Sequence, residues 1–131
     1  MKFFVTGRSN NYQRVVDAFD TVEASGHEVT LRWTDLPMIK PYCDNAETAG
    51  QYSTQQIEGV CTADVYVLFA HNDGNGVFTE FGAALAALAL QGRPRLFAIG
   101  DEETKSTAMF HYHPAIEWVD SIETVLQRVE N

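Results

Sequence analysis

The chain has 131 residues, of which 45% are hydrophobic and 21% charged, with a net charge of −9. That balance suits one soluble globular domain spanning 1–131, and it excludes a nucleic-acid polymer as partner, since such binders need a basic face. No apolar run approaches the roughly 18 residues of a membrane span, and Cys43 and Cys61 have neither metal-ligand spacing nor the numbers for a disulfide framework; the reading is a cytoplasmic protein with reduced thiols and no cofactor or metal.

In chain order, Lys2 to Thr6 (KFFVT) reads as a buried first strand. Gly7 to Asn11 is a turn in which Ser9, Asn10 or Asn11 can cap the next helix. That helix runs from about Tyr12 to Ala24, with Val15, Val16, Phe19 and Val22 at helical spacing, and stops at Ser25-Gly26. His27 to Trp33 alternates as a second strand. Thr34 to Gly50, with Pro37 and Pro41, is a long connection of the kind that often carries function. A helix from about Gln51 to Cys61 leads into the central strand, Asp64 to Phe69. Then come a polar glycine-bearing turn (Ala70 to Val77), a helix of small apolar residues from about Phe78 to Gln91, and Gly92 as its stop. Arg95 to Ile99 is a fourth strand, Gly100 to His113 a long loop, Ile116 to Val119 a short fifth strand, and about Ser121 to Val129 a closing helix.

Strands alternating with helices imply a doubly wound, flavodoxin-like α/β fold, with a five-stranded parallel sheet of order 2-1-3-4-5 and helices on both faces. The switch point then falls between the first and third strands. It brings the Gly7–Asn11 turn beside the Asn72–Glu80 turn, so that two loops rich in donors face one crevice at the carboxyl end of the sheet.

Glu80 stands out, because an apolar residue between Phe78 and Phe81 would serve packing better. Placed in the first helical turn, it is either a surface glutamate favoured by the helix dipole or a carboxylate nucleophile kept ionised by that dipole and the free N–H groups.

The segments FFVTGRSNN, GHEVTLRWT and TADVYVLFAHNDGNGVFTEFGAALA resemble the nucleoside 2-deoxyribosyltransferase family, including its 2'-deoxynucleoside 5'-monophosphate N-hydrolase relatives. The resemblance covers nearly the whole chain in order of elements and is most specific from Asp64 to Ala86. It implies that Glu80, followed by Phe81-Gly82-Ala83-Ala84, attacks C1' of a nucleoside, expels the base and holds a glycosyl ester. The substrate would be a nucleoside or nucleotide and the assembly a homodimer, with Phe110 and Tyr112 of the late loop as candidates for the neighbouring subunit's site. Asp73 is the local candidate for protonating the base, or else an Asx-type turn residue. The family's aspartate in the helix before the central strand corresponds to Gln56, which hydrogen-bonds a sugar but donates no proton as an acid; that departure counts against efficient deoxyribosyl transfer and leaves open hydrolysis, a different acid, or mere nucleotide binding or sensing. A phosphoribohydrolase of the cytokinin-activating type fits less well, because Val77 and Phe78 stand where its threonine belongs.

For the substrate, Gly7 permits close backbone approach, and Arg8 and Ser9 are candidates for a 5'-phosphate, although a lone arginine in a polar turn is commonly solvated. Gly74, Asn75 and Gly76 form the turn that can offer N–H groups to an anion or sugar. Trp33 is a base-stacking surface or a tryptophan of the core or rim. His111 and His113 lack acidic neighbours at ligand spacing, which argues against a metal site.

Overall fold

The computed structural model describes the backbone of residues 1–131 and their side chains apart from that of Asn11, so Asn11's part in capping lies outside the described residues. Five strands, β1 (Lys2–Thr6), β2 (Glu28–Val29), β3 (Val65–Phe69), β4 (Arg95–Ile99) and β5 (Ile116–Val119), form one sheet of order β2-β1-β3-β4-β5. All four pairings are parallel, as the alternation of strand and helix requires. Five helices accompany them: α1 (Gln13–Ala24), α2 (Ala46–Cys61), α3 (Asn75–Gln91), α4 (Glu102–Lys105) and α5 (Ile122–Glu130). Among the described residues no helix is long and apolar enough to cross a membrane.

Strand residues alternate between two apolar layers. Phe3, Val5, Val65, Val67, Phe69 and Phe97 meet Val15, Phe19 and Val22 of α1 and Val125 and Leu126 of α5. Phe4, Tyr66, Leu68, Leu96 and Ala98 meet Val60 of α2 and Phe81 and Ala84 of α3. Burying both faces of a parallel sheet explains why β3 is fully buried and reads as an unbroken apolar run.

Four boundaries differ from the sequence-based expectation, each for a local reason. The second strand is paired over only two residues, Glu28 and Val29, not over His27 to Trp33. Thr30 N–H still reaches Phe3 O, but the next acceptor along β1, Val5 O, takes the indole N–H of Trp33 at 2.8 Å, and the chain turns inward through a 3₁₀ turn at Trp33–Asp35. Helix α2 starts at Ala46, five residues before Gln51, which shortens the connection ahead of it. Helix α3 starts at Asn75, so Glu80 is its sixth residue and sits in the second turn, not the first. The Gly100–His113 stretch holds α4 and a 3₁₀ turn at Met109–Tyr112, with Asp101 capping α4 through Thr104 N–H at 2.8 Å.

The ends of β1 and β3 are drawn together at Gly7. A Cβ there would lie 3.1 Å from Phe69 Cβ and 3.2 Å from Val15 Cγ2, so the glycine lets β1 leave the sheet tightly against β3 and α1. Gly7→Val is expected to cost about 1–3 kcal/mol by overpacking, measured by chemical denaturation.

Candidate active site

The switch point between β1 and β3 gathers the polar groups that the apolar layers exclude. Thr6, last residue of β1, shares the sheet face of Phe4 and is 1% exposed. Its hydroxyl donates to Glu80 Oε1 at 2.8 Å, joining β1 to α3 across a buried space. Glu80 is 6% exposed, on the inner face of α3 with Phe81 and Ala84, which rules out a surface glutamate.

Burial raises the Glu80 carboxyl from 4.5 to about 7, and the hydrogen bond from Thr6 offsets only part of that. The expectation that the helix start keeps it ionised is therefore corrected: one turn further into α3, loss of water outweighs the dipole. Thr6 holds Oε1, so Oε2 is the carboxyl oxygen outside that hydrogen bond.

The same layer of the protein holds an aromatic wall. The Phe4 and Tyr66 rings lie parallel at 6.0 Å, and Tyr66 and Phe81 at 6.4 Å. Phe78 and Phe81 pack on His111 at 5.8 and 6.1 Å, and Trp118 meets that histidine edge-on at 5.6 Å. His111 is 1% exposed with Nδ1 on Lys105 O at 3.2 Å, so it pins the late loop to α3. His113 is exposed.

The two turns do meet. Arg8 Nη1 lies 2.9 Å from Asp73 Oδ1, and His71 Nδ1 lies 2.8 Å from the same oxygen. Gly74 makes this clasp feasible: its φ is +108°, and a Cβ would fall 2.9 Å from Arg8 Cδ. Gly76 and Asn75 are instead the opening residues of α3, with exposed side chains or none. Ser9 is exposed and begins a 3₁₀ turn at Ser9–Asn11; neither it nor Asn10 caps α1.

The remaining sequence candidates lie as follows. Trp33 is half-buried against both apolar layers, its N–H on Val5 O as above. Gln56 is half-buried on the α2 stripe that includes Gly59 and Val60, while Glu58 is exposed. Phe110 and Tyr112 are 57% and 56% exposed.

Two groups went unremarked in the sequence. His71 became visible only as the partner of Asp73, and Tyr66 looks in sequence like any core aromatic. A groove of about 240 Å³ opens beside His71 and is lined also by Asn72, Glu103, Thr104 and Thr107. A second, of about 250 Å³, lies between α1 and α5 over Phe69 and Ile99, on the layer away from Glu80. Neither groove is lined by Glu80.

Two substitutions test this geometry. Ionisation of Glu80 is easier unfolded than folded, so its contribution to stability is complete below pH 4.5 and is lost as pH rises through about 7. Glu80→Gln keeps an acceptor for Thr6 and removes the loss, so it should be more stable than wild type by up to about 3 kcal/mol at pH 8, with the gap closing toward pH 4 in urea titrations. Gly74→Ala should cost about 1–3 kcal/mol through backbone strain and displacement of Arg8, read by thermal melting.

No protein-family model matches the chain, and no curated protein matches it in sequence. Its fold is similar to the solved structure of a CMP N-glycosidase, BcmB, from Clostridium botulinum, with a TM-score of 0.61 and 14% identity over 99% of this chain and 98% of that one.

Proposed function

We propose that the protein cleaves or transfers the N-glycosidic bond of a (deoxy)nucleoside or nucleoside monophosphate, with Glu80 as nucleophile. The observation that carries this reading is the buried carboxyl at the β1–β3 switch point, tied by one oxygen to Thr6 and raised to about 7. A carboxylate held in apolar surroundings is poorly solvated, and positive charge developing on a sugar is what it is best placed to stabilise. The similarity in fold to a CMP N-glycosidase supports the same class of substrate.

In the proposed reaction Oε2 of ionised Glu80 bonds to C1'. The C1'–N bond breaks with its electron pair leaving on the base, which takes up a proton. Asp73 and its partner His71 are the proposed proton source at the rim of the site. Water, or a second base, then takes the sugar from the ester and frees Glu80. Arg8 and Ser9, with the N–H groups around Gly74, Asn75 and Gly76, are proposed to receive the sugar or its 5'-phosphate. Gln56 is proposed to contact the sugar, and Trp33 the base. Arg8 meets a 5'-phosphate only by giving up or sharing its pair with Asp73, which sets nucleotide against carboxylate at one guanidinium. The late-loop aromatics Phe110 and Tyr112 are proposed to face a second copy of the chain in a dimer.

A second reading has its own support: Gln56 supplies no acid, as expected of a scaffold that binds nucleotides without cleaving them.

Incubation with deoxynucleosides, ribonucleosides and their monophosphates should release free base, followed by chromatography. Glu80→Gln and Glu80→Ala should lower the release at least 1,000-fold, as expected for loss of a nucleophile. Because the free protein must ionise Glu80 to attack, kcat/KM should rise with pH and level off above about 7. Nucleotide binding without base release from any of these compounds would favour the binding module.

A further inference from the structure

Tyr66 is the largest of the fully buried side chains, and its hydroxyl has no hydrogen-bond partner among the described residues. A buried phenol left unpaired carries a desolvation cost, and a phenylalanine would pack the same space without that penalty. The residue is wholly buried, its ring parallel to those of Phe4 and Phe81, so water does not reach the hydroxyl. Its position in the sheet is informative. Tyr66 is paired with Phe4 on β1, two residues before Thr6, and both side chains point to the layer that receives Glu80. Phe81, the ring stacked on Tyr66, directly follows Glu80.

We infer that Tyr66 is a positioning residue for Glu80, whose buried hydroxyl closes onto the ionised carboxylate as a second donor beside Thr6. A carboxylate oxygen accepts two hydrogen bonds, so Oε1 can hold both hydroxyls and leave Oε2 to meet carbon. The phenol is itself pushed well above its ordinary value by burial and by the negative charge of Glu80, so it keeps its proton and stays a donor across the working range of pH. Of the other polar groups around this layer, Thr6 on β1 already donates to Glu80, the His111 ring of the late loop packs on Phe78 and Phe81 with its Nε2 unpartnered among the described residues, and Gln56 lies half-buried on α2. Arg8 and His71 of the two turns are engaged with Asp73.

The inference deepens the proposed function, since the consequence for catalysis rests on Glu80 as the reacting carboxylate, but the hydrogen bond itself is testable without substrate. The experiment is an NMR titration of the Glu80 carboxyl carbon in wild type and Tyr66→Phe, together with the pH profile of kcat/KM for base release. Loss of a donor to a carboxylate should raise the midpoint by about one pH unit, and the acid limb of the profile should move by the same amount. Fluorotyrosine at position 66, a stronger donor, should move the midpoint the other way, and it preserves the test if Tyr66→Phe folds poorly. A midpoint unmoved by either change overturns the inference and leaves Tyr66 a packing residue. If no base is released from any substrate, the proposed function fails by itself, while the titration still decides the role of Tyr66.

Discussion

The hydrogen bond from Thr6 to Glu80 is the constraint on which the arrangement turns. Among the described residues it is the one polar link between the end of β1 and the inner face of α3, and it lies in an apolar layer that includes Phe4, Tyr66, Leu68, Phe81 and several alanines. An apolar residue at position 80 would suit that layer, so the chain retains a carboxyl where burial works against its ionised form. Active sites are where proteins tolerate such a cost, because a group that water cannot stabilise is ready to interact with a ligand.

The surrounding scaffold is arranged to keep that carboxyl in place. Gly7 brings the end of β1 against Phe69 and Val15, and Gly74 allows Arg8 to lie across the entry to α3. Both loops therefore leave the sheet at the same point, joined by Arg8, Asp73 and His71. His111, wedged among Phe78, Phe81 and Trp118, ties the late loop to the same helix. Polar groups on the loops are positioned here by the sheet and by close contacts at its carboxyl edge.

Much of this was legible in the residues. The unbroken apolar run of β3, the helical spacing of α1 and the alternation of strand with helix were enough for the parallel sheet and its strand order. The same order predicted that the Gly7 and Asn72–Glu80 turns would meet. Glu80 was legible as an anomaly, since Phe on either side marks a position that packing would fill. Its environment was not legible, because the start of α3 depends on Gly74, whose unusual backbone shifts the helix register three residues earlier than Phe78.

What the sequence by itself determined was periodicity: which segments bury one face, which bury two, and where glycine and proline interrupt them. These are properties of neighbours along the chain, set by backbone geometry and side-chain type. Only the tertiary structure decided which partner each polar atom meets. Trp33 N–H takes the carbonyl of Val5 that a longer β2 would have used, His71 meets Asp73, and Tyr66 comes to lie beside Phe81 with its hydroxyl unpaired. The carboxyl of Glu80 is raised for the same reason: burial is a sum over atoms from distant parts of the chain, and no local pattern contains it.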